Sequence, residues 1–144
     1  MNNEGVREID RKKKYLKRYK KNLELIKRLN QKLEVLNARI YGVRSQALNG
    51  MPRGGEPVQI ADLISDKKEL EDRIDRLTER GLIYKAEILE RIDSLDDTRY
   101  AEILEAFFID CKDFDIIAKD TGYTLRHVIR LYSEGVGALS LECH

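Results

Sequence analysis

FDIIAKDTGYTLRHVIRL, residues 114–131, is the stretch on which the fold turns. Phe114, Ile117 and Ala118 recur at the spacing of one helix face, and Val128 and Leu131 do the same for a second helix. Gly122 between them has no Cβ and suits a left-handed turn, while Thr124 is a good N-cap for the second helix. The small Ala118 lets two helices approach closely. These positions predict two short helices crossing over a turn of about 3–4 residues, a helix-turn-helix whose second helix covers about 124–134. A plain α-hairpin needs an apolar face too, but not a small residue and a glycine four positions apart.

Upstream, TRYAEILEAFFI reads as another short helix, and before it the pattern changes to heptads. Leu16, Tyr19, Leu23, Ile26, Leu33 and Ile40 form a seam in which Asn30 and Asn37 take the two remaining positions, with Leu29, Leu36 and Val43 as a flanking row. A second seam runs Leu63, Leu70, Ile74, Leu77, Tyr84, Ile88, Ile92 and Leu95, with Lys67 and Gly81 as defects. Between the two, NGMPRGGEPVQ (49–59) breaks the helix with two prolines and three glycines. The expected fold is therefore all-α: a long antiparallel helical hairpin, a coiled coil over residues 1–95, followed by a compact helix-turn-helix module over 96–144. The hairpin either closes within one chain or pairs between chains.

The 144 residues carry 27 basic and 26 acidic side chains, so net charge alone names no partner. Its distribution is informative: residues 1–50 carry +9, residues 51–92 carry −2 and residues 93–144 carry −6. No run of about 18 apolar residues is present, so no membrane partner and a cytoplasmic location are expected. The two cysteines, Cys111 and Cys143, and the two histidines, His127 and His144, spell no metal-ligand spacing. No catalytic constellation surrounds Cys111, so neither enzyme activity nor a metal or cofactor is expected.

Two groups of residues carry the candidate chemistry. Thr124, Arg126, His127 and Arg130 fall at the start and outer face of the second helix, with Lys112 and Lys119 nearby. Threonine and histidine can hydrogen-bond, and arginine can fork onto guanine or phosphate. The competing structural reading has Thr124 capping, His127 on the surface and the arginines paired with Asp113, Asp115 or Asp120. The second group is the run Arg11, Lys12, Lys13, Lys14, Lys17, Arg18, Lys20 and Lys21, interleaved with Tyr15 and Tyr19. Such a run can lie along a nucleic-acid backbone or form a solvated helix face.

The run TRYAEILEAFFIDCKDFDIIAKDTGYTLRHVIRLYSEGVGAL (98–139) resembles the ArpU-family phage transcriptional regulators, whose C-terminal part is similar to the −35-reading region four of sigma factors. The resemblance rests on Tyr100, Ile103 and Leu104, on Ile109 and Asp110, on Ile117, Ala118, Gly122 and Tyr123, and on Arg126, Val128, Arg130 and Leu131. It extends upstream to the pair Val58 and Gln59, where the interrupted helical half resumes. It implies a phage or prophage DNA-binding transcriptional regulator acting on duplex DNA, with RNA polymerase or another protein as a possible partner and a homodimer formed through the long helices. Leu125 and Ile129 depart from the pattern at positions where arginines often sit, and Glu134, Gly135 and Gly137 replace a basic tail. These departures keep open an alternative, a protein-interaction protein of adaptor or inhibitor type whose module no longer reads DNA.

Overall fold

Three-and-four apolar spacing with few breakers produces helix along almost the whole chain. The computed structural model describes residues 3–48 and 56–141, and among them it holds helices α1 (Asn3–Leu16), α2 (Arg18–Leu48), α3 (Glu56–Asp93), α4 (Thr98–Phe108), α5 (Phe114–Thr121) and α6 (Leu125–Ala138). The fold is all-α over these residues. Residues 49–55 of the expected Gly/Pro loop lie outside the described ones, as do Cys143 and His144. The sequence places the end of this loop at residue 59, but α3 already begins at Glu56. Pro57 is tolerated there because the first turn of a helix leaves its amides without intrahelical partners.

Two compact units emerge, one made of residues up to Lys21 together with those from Gly81 onward, the other of Asn22–Arg80. The expected boundary between residues 95 and 96 thus falls inside the first unit. The physical reason is its core: Leu16, Ile88 and Ile92 are sealed together with Ile103, Leu104, Phe108, Ile117, Val128, Leu131 and Val136, all at most 1% exposed. Each such side chain contributes roughly 1.5–3 kcal/mol relative to leaving it in water. The first and last parts of this unit also match in charge, since residues 1–21 carry +6 and residues 81–144 carry −6.

α1 and α2 are nearly continuous, because the Lys17 amide still donates to the Lys13 carbonyl and the Lys21 amide to that of Lys17. The inner side of this stretch packs on α6. Lys12 is 7% exposed, and its Nζ donates to the Gly137 carbonyl at 2.9 Å while lying 3.6 Å from Glu8. The last carbonyls of a helix have no intrahelical partner and form the negative end of its dipole, so an ammonium there satisfies both. Gly135 serves the same region: a Cβ on it would stand 3.1 Å from Tyr100 Cβ and 3.3 Å from Leu104, so glycine lets α6 close on α4. Glu134 accepts a hydrogen bond from the Tyr100 hydroxyl at 3.0 Å, which raises the Tyr100 pKa above its ordinary value. Of the three departures in the tail of α6, Gly135 is thus required by packing and Glu134 is engaged by a hydrogen bond, whereas a side chain at Gly137 would meet open space.

In the second unit, Leu29 and Ile40 are buried and Leu25, Ile26, Leu33, Leu36 and Val43 half-buried, whereas Leu23, Asn30 and Asn37 face water. The expected seam keeps Ile26, Leu33 and Ile40, while its positions Leu23, Asn30 and Asn37 give way to the flanking row of Leu29, Leu36 and Val43. That choice hides aliphatic surface and spares two amides from desolvation. Asn22 is the buried amide instead, 5% exposed, its Oδ1 without a hydrogen-bond partner among the described residues. On α3 the expected positions Leu63, Lys67, Leu70, Ile74 and Leu77 are all half-buried.

Replacing Lys12 with methionine keeps the length of the side chain but leaves the Gly137 carbonyl unpaired. Urea unfolding of Lys12→Met is expected to show a loss of about 1–2 kcal/mol, whereas Lys14→Met, on the exposed side of α1, is expected to change stability by less than about 0.5 kcal/mol.

Candidate nucleic-acid interface

The turn between α5 and α6 is built from its caps. Gly122 ends α5 at φ 80°, ψ 2°, and its amide donates to the Ala118 carbonyl at 2.9 Å. This left-handed conformation carries little cost for glycine and about 1–2 kcal/mol for a residue with a Cβ. The chain then extends through Tyr123, whose amide donates to Thr121 Oγ1, and Thr124 opens α6 by accepting from the His127 amide at 3.1 Å. Ile117, Val128 and Leu131 are sealed between the helices, with Phe114 and Ala118 packed at the margin. α4 brings its own cap: Asp97 accepts from the Arg99 amide and side chain, and that side-chain hydrogen bond is the main cause that lowers the Asp97 pKa. The folded-state pKa is depressed, so this cap is intact above the carboxylate range and weakens as pH falls through it.

The predicted reading residues divide into free and engaged. Arg126 is exposed and has neither a hydrogen bond nor an ion pair among the described residues, and the same holds for Lys119 at the end of α5. Arg130 donates to His127 Nδ1 at 2.9 Å and lies 3.9 Å from Glu134. Arginine can only donate, so Nδ1 is the acceptor and the imidazole proton sits on Nε2. The Tyr123 ring meets His127 edge-on at 4.8 Å. Lys112 is tied to Asp120 at 2.9 Å, which raises the lysine pKa. Thr124 is exposed while capping, so its hydroxyl serves the fold first. The pairing expected between the arginines and Asp113, Asp115 or Asp120 does not occur; Lys112 takes Asp120 instead.

The basic run is likewise divided. Lys12 caps α6, Lys13 Nζ stands 5.8 Å from the Tyr132 ring and Lys20 Nζ 4.9 Å from the Phe107 ring. Arg18 lies between the rings of Tyr15 and Tyr84, at 4.5 and 4.6 Å, and reaches Glu87 at 3.1 Å. The rings under Lys13 and Lys20 belong to one cluster, with Phe107 and Phe114 stacked at 4.7 Å and Tyr132 edge-on to both. Its burial raises the Tyr132 pKa. Arg11, Lys14 and Lys21 remain exposed, with Lys17 half-buried beside them. The inward lysines were detectable in the sequence only as a register: Lys12 stands four residues before Leu16 and shares its helix face.

Among the described residues no group of three or more metal-binding side chains converges, and no helix is long and apolar enough to cross a membrane. Comparison with known protein families, with curated proteins and with solved structures finds no match to this chain.

Thermal unfolding measures the capping role of Thr124. Thr124→Ala is expected to cost about 1 kcal/mol through the lost cap, and Thr124→Ser to retain nearly all of it.

Proposed function

We propose that this chain is a non-enzymatic DNA-binding transcriptional regulator of the ArpU type, in which α5, the Gly122 turn and α6 form a helix-turn-helix with α6 as the recognition helix. The observation that carries the reading is the leading end of α6, where the exposed Thr124 and the unpartnered Arg126 stand at a helix N-terminus. Such an end offers a positive dipole and free amides to phosphate, and the guanidinium can fork onto guanine. His127 and Arg130 act as one hydrogen-bonded pair beside it. Lys119 and the outward Arg11, Lys14 and Lys21 are the cations available to the DNA backbone, whereas Lys12, Lys13, Arg18 and Lys20 belong to the fold.

In this reading α2 and α3 form an antiparallel hairpin through which two copies pair. The half-buried rows of the second unit support it, as does a groove of about 400 Å³ lined in part by Lys32, Val35, Leu36, Asp66, Glu69 and Leu70. Pairing would set two weakly charged modules on adjacent half-sites, where linkage strengthens binding without new contacts.

A second reading is favoured by one observation: Ile116, Leu125 and Ile129 are 46%, 44% and 42% exposed on α5 and α6. An apolar surface of this kind suits docking to RNA polymerase or another protein.

Fluorescence polarisation with duplex DNA from the promoter-proximal region of the protein's own operon, at two salt concentrations, separates the two. Arg126→Ala is expected to weaken binding by about 5- to 150-fold, corresponding to the roughly 1–3 kcal/mol of a bidentate base contact. Absence of salt-sensitive binding by the unmodified protein at low salt would reject the DNA reading in favour of the second.

A further inference from the structure

α6 turns two aliphatic side chains to water at the end where it is proposed to meet DNA. Leu125 and Ile129 lie four residues apart and are 44% and 42% exposed, whereas Val128, Leu131 and Val136 of the same helix are sealed to within 1%. On the helical wheel Arg126 and Arg130 both lie to one side of the adjacent pair Leu125 and Ile129. Of the cations there, Arg130 is engaged by His127 and Glu134, which leaves Arg126 as the free one on this face among the described residues. The outer face of α6 therefore offers two exposed hydrocarbon side chains with a single free guanidinium beside them.

A major groove presents hydrogen-bonding edges to such a face and one apolar group, the C5-methyl of thymine. We propose that Leu125 and Ile129 are specificity residues that read thymine methyls, with a guanine read by Arg126 to one side of them. The inference rests on the DNA-reading function proposed above and names the class of sequence that function selects. Residues four apart on a helix are separated by about 6 Å along its axis, and successive phosphates of one strand by about 3.4 Å along the duplex. The two side chains thus reach bases about two steps apart, and Arg126, displaced round the helix from both, reaches a base beside them. The site is a pair of thymines with a guanine beside it. Reading by hydrocarbon contact also fits a segment carrying −6, which has few cations to spend on phosphates.

The test uses the full chain and a random-sequence duplex library. The best-bound duplex is resynthesised with deoxyuridine in place of thymidine, which removes the C5-methyl and leaves the Watson–Crick and groove hydrogen-bonding groups unchanged. Burying one methyl is worth about a fourfold change in affinity, so loss of two is expected to weaken binding about 15-fold. The double variant Leu125→Ala, Ile129→Ala is expected to bind the two duplexes equally, and because both side chains are exposed its melting temperature should match that of the unmodified protein. Equal binding of thymidine and deoxyuridine duplexes by the unmodified protein, with binding still salt-sensitive and dependent on Arg126, would overturn the methyl reading and leave the DNA-binding function standing. Failure to enrich any duplex would overturn both.

Discussion

The Lys12 ammonium lies under the last turn of α6, hydrogen-bonded to a carbonyl that the helix itself cannot satisfy. An ammonium is held in such a place only if it is paired, and the pairing ties the beginning of the chain to its end. Around it, Lys13 and Lys20 cover the Phe107, Phe114 and Tyr132 ring cluster, and Leu16 enters the same core as Ile88, Ile103 and Val128. The short helices α4 to α6 therefore complete their core with residues more than eighty positions away. The formal charges of residues 1–21 and 81–144 are equal and opposite within one unit, with Arg18 and Glu87 in direct contact across it.

This arrangement decides which cations are left for function. A helix carrying basic residues on consecutive positions cannot point all of them outward, and the inner positions 12, 13, 18 and 20 are held by a carbonyl, by aromatic faces and by Glu87. What remains is a narrow outer row on α1 and α2 together with Arg126 and Lys119 near the turn. A binding surface with so few free charges gains little from counterion release and must draw more of its affinity from shape and base contact. In the proposed DNA-reading role, the exposed aliphatic residues of α6 would supply the apolar part of such a surface.

Much of the architecture is readable from spacing. The turn chemistry of Gly122 and Thr124, the apolar faces of Ile117, Val128 and Leu131, and the row from Leu63 to Leu77 come from local rules that tertiary contacts do not override. Half of the α2 seam, Ile26, Leu33 and Ile40, lies where spacing puts it, while the other half shifts by one row because both rows have equally regular spacing; what separates Leu29 and Leu36 from Asn30 and Asn37 is the cost of burying amides, which periodicity alone does not weigh. The placement of residues 1–21 against α6 is not legible, since a buried lysine and an exposed one look identical in a basic run. The same holds for Gly135, which looks like a loss from a recognition helix until its neighbours Tyr100 and Leu104 are known.

The central claim is that only the outer cations of the N-terminal segment are free to meet phosphate. The salt dependence of duplex-DNA binding measures this directly, because the slope of log affinity against log salt falls by about 0.9 for each phosphate contact removed. Lys14→Gln with Lys21→Gln is expected to reduce the slope by about 1.8, and Lys20→Met, which removes a cation already committed to the Phe107 ring, is expected to leave it unchanged. A slope that falls by the same amount per substitution at Lys20 as at Lys14 would contradict the account.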